Sequence, residues 1–92
     1  MSNHICMIID LEGFFIENTF RVRELGYYTW QEEFGRIGFY MPTRFRDLQH
    51  KDKRTVWFVN ERINGLSYHL EEGEEGYCQD ELYKILLRLY YH

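Results

Sequence analysis

The first apolar stretch of the chain predicts a β-strand. Residues 5–11, ICMIIDL, are almost continuously apolar, and such a run is typical of a strand that is buried on both faces and central in its sheet. Gly13 is expected to end this strand, because a glycine in a strand pattern marks a break. Residues 17–19, Glu-Asn-Thr, then predict a turn before the next apolar stretch.

Two further stretches have the alternating pattern of strands. Residues 19–30 begin with alternating apolar and basic positions and become aromatic towards their end, which predicts a second strand with a kink or a close approach at Gly26. Residues 36–42 alternate again until Pro42, the only proline of the chain. Three strands joined by short polar turns predict an antiparallel meander.

A change of hydrophobic period after the third strand predicts two helices. Apolar residues recur at helical spacing in residues 51–64, and Gly65 follows where a helix C-terminal glycine is expected. Residues 66–77 form a polar loop. From Gln79 onward the helical pattern returns with one apolar stripe, made of Leu82, Ile85, Leu86 and Leu89. The expected fold class is therefore α/β, with a three-stranded antiparallel meander followed by two helices.

Length and overall charge limit the classes of function. A chain of 92 residues is one domain at most. Its content of 45% hydrophobic and 18% aromatic residues is higher than that of a disordered segment, so it has the material for a core. The net charge of −4 means that the molecule as a whole does not attract nucleic acid or an anionic membrane.

The charges are unevenly distributed along the chain. Residues 44–54 carry six basic residues against two acidic ones, whereas residues 70–81 carry six acidic residues and no basic one. Most such runs are a solvated helix face and a solvated loop. The alternative is that the basic run contacts nucleic acid through five long cationic side chains, Arg44, Arg46, Lys51, Lys53 and Arg54.

Two cysteines and the absence of a long apolar segment bear on the compartment. Cys6 and Cys78 have no zinc-ligand spacing and are too few for a disulfide framework, so both are expected to be free thiols. No apolar run has the length of a membrane span, and the N-terminus has no basic region typical of a signal peptide. We expect a cytoplasmic or nuclear protein that does not contact a membrane.

Asp10 and Glu12 are the strongest candidates for a chemical site. They follow the first apolar run directly, where a charge is unfavourable unless something pairs with it. Two residues at i and i+2 on a strand share a face, so a divalent cation such as Mg²⁺ could bind between the two carboxylates. The structural alternative is that Asp10 ends the strand and Glu12 faces solvent.

The order of four short motifs extends this interpretation. The chain has Asp-Leu-Glu-Gly at residues 10–13, Glu-Leu-Gly at residues 24–26, Pro42 after the third strand and Asn-Gly-Leu at residues 64–66. This order resembles the N-terminal half of the DEDD 3′-5′ exonucleases, which have an RNase H-like fold. The resemblance covers nearly the whole chain and implies a partial RNase H-like fold, with residues 1–92 as a single truncated exonuclease-like domain.

The resemblance also implies roles for individual residues. Asp10 and Glu12 would be catalytic, because they would bind the Mg²⁺ or Mn²⁺ ions that activate water and hold the scissile phosphate. Four residues would border the terminal nucleotide and bind the substrate: Gly13, Phe14, Asn64 and Leu66. The function implied is metal-dependent hydrolysis of phosphodiester bonds in nucleic acid.

Departures from the family pattern limit the activity that is expected. In the exonucleases Asp-x-Glu is usually followed by Thr-Thr-Gly or a similar sequence, whereas this chain has Gly-Phe-Phe. The family also uses a further Asp on a later helix, and an Asp with a nearby His or Tyr, to which nothing here corresponds. Without them the metals lose ligands and the water loses its general base, so the 92-residue chain is expected to be inactive alone.

The alternative function is non-catalytic. A protein–protein interaction or dimerisation module derived from an RNase H-like fold would cover the exposed edge of its sheet with a second copy or a partner. It would also dock that partner on the C-terminal helix, which is amphipathic. Oligomeric state separates this alternative from the exonuclease-like one.

Overall fold

A three-stranded antiparallel sheet and two α-helices make up the protein. The computed structural model describes residues 7–91, except for the side chain of Asn64. The strands, in the order β1-β2-β3, are β1 (Met7–Ile16), β2 (Thr19–Thr29) and β3 (Phe34–Gly38). The helices are α1 (His50–Phe58) and α2 (Leu82–Tyr90). The predicted α/β class, with a three-stranded meander followed by two helices, is confirmed.

The hairpin between β1 and β2 has the turn that the sequence predicts. Glu17 and Asn18 form its tip with φ angles of 53° and 65°, the left-handed region in which Asn is more common than most residues. Two-residue hairpin loops favour such angles because they match the twist of the strands. The Glu17 N–H also donates to the Asp52 carboxylate at 3.4 Å, which joins the turn to α1.

A β-bulge divides β1 into two halves. The pairing of β1 with β2 shifts between Glu12 and Gly13, and the strand continues to Ile16, so the prediction that Gly13 ends it was wrong. A Cβ at Gly13 would clash with the carbonyl oxygen of Arg21. The close approach predicted at Gly26 is therefore at Gly13, whereas Gly26 sits in regular pairing with open space around it.

The position of β1 corrects another prediction. β1 pairs with β2 alone among the described strands and is an edge strand, while β2 is central. In its first half Ile8, Ile9 and Leu11 are 58%, 39% and 38% exposed. A continuous apolar run predicted burial on both faces, but in this chain no described strand covers the outer edge and only part of either face is covered.

The second half of β1 forms one of two cores. Phe14 and Ile16 pack there with Leu48, Val56 and Tyr68, and α1 covers this part of the sheet. Phe14 has no exposed surface, and its ring centroid lies 5.5 Å from that of Tyr68. Burial of aromatic side chains of this size is a large part of what stabilises a small domain.

α2 covers the other core. Ile85 packs with Val22, Leu25 and Phe39, and the partly buried residues around them include Leu82, Leu86 and Leu89 of the predicted stripe. The amphipathic prediction for this helix is confirmed. A short 3₁₀ turn, Gln79–Glu81, precedes α2, and the Gln79 side chain bonds the backbone N–H and C=O of Val22.

Some element ends differ from the prediction. β3 ends at Gly38 and not at residue 42, because the chain then turns to pair with the later loop: the Tyr40 N–H donates to Tyr77 O, and the Tyr77 N–H donates to Gly38 O. The helix predicted over residues 51–64 is α-helical only to Phe58 and continues as a π-helical turn, Val59–Asn64. It ends at Gly65, with a φ of 66°, as the C-terminal glycine predicted. None of the helices in residues 7–91 has the length and apolar character needed to cross a membrane.

Candidate functional site: a carboxylate face on the sheet

Three carboxylates lie on one face of the sheet. Asp10 and Glu12 are two residues apart on β1, before the bulge, and therefore project from the same face. Glu24 of β2 is directly opposite Glu12. Like charges directly opposite each other on antiparallel strands are destabilising. We call Asp10, Glu12 and Glu24 the carboxylate face.

No basic side chain balances the carboxylate face. Within residues 7–91 the one ion pair closer than 4 Å joins Arg46 to Asp47 at 3.8 Å, on a distant exposed turn. Asp10 is exposed, and Glu12 and Glu24 are half-buried. The carboxylate face is thus reachable by solvent ions, and no ion pair within 4 Å among the described residues offsets the repulsion between Glu12 and Glu24.

An open strip of sheet lies between Asp10 and the cationic residue Arg36. Gly26 pairs with Asp10 on one side and with Arg36 of β3 on the other. A Cβ at Gly26 would meet only the Asp10 backbone oxygen, at 4.0 Å, so the strip carries no side chain. Strands lie about 4.8 Å apart, which puts the backbones of Asp10 and Arg36 about 10 Å from each other.

A cavity of about 530 Å³ adjoins the carboxylate face. Glu24, Arg36 and Gly38 line its sheet side. Leu66 and Ser67 line its loop side together with three loop acids, Glu71, Glu74 and Glu75. Leu66, which the exonuclease resemblance assigns to substrate binding, is thus brought to the same region as Glu24.

Arg23 fixes the loop side of this cavity. It is 3% exposed, and its guanidinium donates to Ser67 O at 3.0 Å and to His69 O at 3.2 Å. A buried guanidinium is stable only when its donors are bonded, so these contacts hold residues 67–69 against the sheet.

The other residues assigned to the substrate are placed differently. Gly13 approaches the β2 backbone, and Phe14 is entirely buried in the α1 core. Both positions have a structural explanation, and contact of Phe14 with a nucleotide would require the core to open. Asn64 lies at the end of the π-helical turn, with its side chain outside the described residues. The substrate role of these three residues stays a prediction.

The donor set fits one kind of metal site. Mg²⁺ prefers oxygen ligands, keeps several waters and is usually bound through one or two carboxylates, which Asp10 and Glu12 can supply. Across residues 7–91 no group of three or more His, Cys, Asp or Glu side chains is arranged to hold a metal. The carboxylate face therefore fits an open, water-completed site and not a closed cage of protein ligands.

A second candidate site lies at the α1 end of the sheet. Arg44, Phe45, Arg46 and His69 line a depression of about 600 Å³, which we call the arginine depression. The sequence indicated the basic run but missed His69, which lies in the stretch predicted to be a polar loop. Its contact with Phe45 joins positions 24 residues apart, and no local pattern signals such a contact.

Tyr68 lies beneath the arginine depression, where it contacts the rings of Phe45 and His69. Burial raises the pKa of the Tyr68 hydroxyl above its ordinary value of 10.0, and the nearby Asp52 carboxylate raises that pKa further. The hydroxyl donates to Thr43 O at 2.6 Å. Tyr68 is therefore a neutral structural donor at physiological pH.

Comparisons with protein-family models, with curated proteins and with solved structures give no significant match. The exonuclease resemblance consequently rests on the order of its motifs in the sequence.

Proposed function

We propose that this chain carries part of the metal site of a 3′-5′ exonuclease-like domain with an RNase H-like fold. The observation that supports the proposal is the carboxylate face, where Asp10 and Glu12 share one side of β1 opposite Glu24 without an ion pair among the described residues. An unpaired set of this kind is the arrangement that a divalent cation stabilises.

The residues of the chain have separable tasks in this proposal. Asp10 and Glu12 hold Mg²⁺ or Mn²⁺, which when bound supplies charge stabilisation and an activated water for phosphodiester hydrolysis. Arg36, across the open strip over Gly26, binds a phosphate oxygen through its fork of N–H donors. Leu66 contacts a base from the loop side of the adjoining cavity.

The proposal does not make the 92 residues an active nuclease. The exonucleases use further acidic ligands and a general base, and this sequence offers no match to them. The chain alone is expected to bind metal without hydrolysing nucleic acid, and activity is expected only when those groups come from elsewhere.

Calorimetric titration with Mn²⁺ tests the proposal. The unmodified chain should bind saturably, and Asp10→Asn/Glu12→Gln should not. Glu61→Gln/Glu72→Gln is the matched control, since both of its sites are exposed acids outside the carboxylate face and it removes the same two charges. Equal binding by the two double variants, or no binding by the unmodified chain, would show that the carboxylate face is not a metal site.

A specific observation favours the second candidate function, a non-catalytic interaction or dimerisation module. The outer edge of β1 has no strand partner within residues 7–91, and Ile8, Ile9 and Leu11 are exposed beside it. Tyr83 and Tyr90 of α2 are also 71% and 78% exposed. Unpaired strand edges with apolar neighbours favour pairing with another chain.

Sedimentation velocity over a hundredfold range of protein concentration distinguishes the two functions. A module that dimerises through β1 should sediment as a dimer, and Ile9→Lys at that edge should convert it to a monomer. Tyr83→Lys tests the exposed face of α2 separately and should leave a dimer formed through β1 intact. A monomer at every concentration that also binds Mn²⁺ would favour the exonuclease-like function.

A further inference from the structure

The arginine depression combines one aromatic side chain with two arginines that flank it in the sequence. Arg44, Phe45 and Arg46 are consecutive at a 3₁₀ turn, Phe45–Asp47, and all three are exposed, with 36% of Phe45 reaching solvent. With His69 they line a depression that has a volume of about 600 Å³. The depression therefore offers cationic groups and an aromatic surface side by side.

The surface around the arginine depression is more basic than the sequence suggests. Residues 44–54 contain two acids, but Asp52 is 5% exposed and accepts from the Glu17 N–H, so its carboxylate is turned inward. Asp47 is exposed beside Arg46. Lys51 and Arg54 are exposed on α1 without an ion pair in the described part of the chain. This region is locally positive although the whole chain has a net charge of −4.

Contacts with the core and the loop fix the position of Phe45. Its N–H donates to His69 Nε2 at 3.3 Å, and its ring meets the buried Tyr68 ring edge-on at a centroid distance of 5.8 Å. Lys53 Nζ lies 5.9 Å from the Phe45 centroid, within cation–π range. Arg23 holds the His69 carbonyl. These contacts fix Phe45 before any ligand arrives, and a base that stacks on the ring face next to Lys53 displaces its ammonium group.

We propose that the arginine depression binds single-stranded nucleic acid, with phosphates on Arg44 and Arg46 and one base against Phe45. Sequence-tolerant binding of single strands combines a positive groove with aromatic rings on which bases stack. Arginine pairs with phosphate through two parallel N–H donors. A ligand recognised by its phosphates alone would not use the exposed Phe45 ring, so the aromatic residue between the arginines favours an unpaired base.

This binding does not depend on the carboxylate face, and the experiment keeps the two apart. Fluorescence anisotropy of a labelled oligothymidylate of about 12 nucleotides is measured with EDTA present, at salt from about 50 to 200 mM. Arg44→Gln/Arg46→Gln is compared with Arg62→Gln/Arg88→Gln, which removes the same charge from exposed sites outside the depression. Phe45→Leu keeps an apolar contact with Tyr68 but removes the stacking surface.

The expected results are specific to the depression. Arg44→Gln/Arg46→Gln should lower the slope of log affinity against log salt by about 1.4, since two single-strand phosphate contacts are lost. Phe45→Leu should weaken binding about tenfold, with its melting temperature recorded as a check on folding. The control pair should bind within about twofold of the unmodified chain.

Several outcomes would overturn the proposal. No binding at about 50 mM salt, or equal losses in the two arginine double variants, would remove the depression as a nucleic-acid site. Tighter binding of a duplex of the same length, or unchanged affinity in Phe45→Leu together with equally tight binding of heparin, would assign the depression to polyanions in general.

Discussion

The two halves of β1 have similar apolar content and opposite environments. Before the bulge, residues 7–12 pair with β2 at the edge of the sheet and carry exposed Ile8 and two acids of the carboxylate face. After the bulge, Phe14 and Ile16 are buried under α1. Burial along one strand therefore depends on what packs over each half, and the half without full cover remains accessible to ions and partners.

The largest difference in stability is expected between alanine substitutions of two neighbouring phenylalanines. Phe14 is 0% exposed and Phe15 is 58% exposed, with its ring 5.3 Å from that of Phe20. Phe14→Ala should lower the free energy of unfolding by about 3–5 kcal/mol because it leaves a core cavity. Phe15→Ala should cost only about 1 kcal/mol, the value of an exposed aromatic pair. Urea denaturation of both variants measures this, and equal losses would mean that the second half of β1 is not buried.

Gly13 at the bulge and Gly26 before it differ in the space available for a methyl group. Gly13→Ala forces a Cβ against the Arg21 carbonyl and should destabilise the fold by about 1–3 kcal/mol. Gly26→Ala has open space around the new methyl group and should be neutral or stabilising by up to about 1 kcal/mol. Thermal unfolding of both variants is the measurement, and the reverse order would contradict the register of β1 with β2.

The contribution of Tyr68, which packs in the core under the second half of β1, to the free energy of unfolding should depend on pH. Tyr68→Phe should cost about 0.5–1.5 kcal/mol at pH 7, since the bond to Thr43 O is lost. The raised pKa of Tyr68 in the folded state means that its contribution is fully present below the ordinary value of 10.0 and is lost as pH rises through the folded pKa. Urea denaturation at pH 8 and above pH 10 should show a smaller alkaline loss of stability in Tyr68→Phe than in the unmodified chain. Equal alkaline losses in the two proteins would contradict the burial of this hydroxyl.

The smallest change in stability is expected from substitutions in the exposed half of β1, residues 7–12. Glu12→Gln removes the repulsion between Glu12 and Glu24 and should raise the free energy of unfolding by about 0.2–1 kcal/mol at low salt, with a smaller gain at high salt. Asp10→Asn, which has Gly26 opposite it, serves as the control and should change stability less. A loss of stability in Glu12→Gln without metal would mean that the carboxylate makes a favourable contact in the fold.

The features that the sequence predicts correctly are local. The turn at residues 17–19 and the C-terminal glycine at Gly65 depend on the conformation of a few neighbouring residues, and the apolar stripe of α2 depends on helical spacing alone. The edge position of β1 could not be predicted in this way, because it depends on which strands pair. For the same reason the sequence predicts the close approach between backbones at Gly26, whereas the pairing of β1 with β2 puts it at Gly13.

The candidate sites show the same contrast between local patterns and contacts that depend on the fold. The period of two in a strand was enough to predict that Asp10 and Glu12 share a face. The position of Glu24 opposite Glu12 requires the exact register on one side of the bulge, and the contact between Phe45 and His69 requires the fold of a long loop. Neither has a signal in the spacing of the residues.

Paramagnetic broadening of backbone amide signals by substoichiometric Mn²⁺ measures whether a metal binds at Asp10 and Glu12. The carboxylate face predicts that the signals of Asp10, Glu12 and Glu24 broaden first, and that Asp10→Asn/Glu12→Gln abolishes this. The turn between β2 and β3 is the internal control, because it carries two neighbouring exposed acids, Glu32 and Glu33, outside the carboxylate face and its adjoining cavity. Earlier broadening of that turn, or uniform weak broadening over the chain, would contradict a metal site on β1.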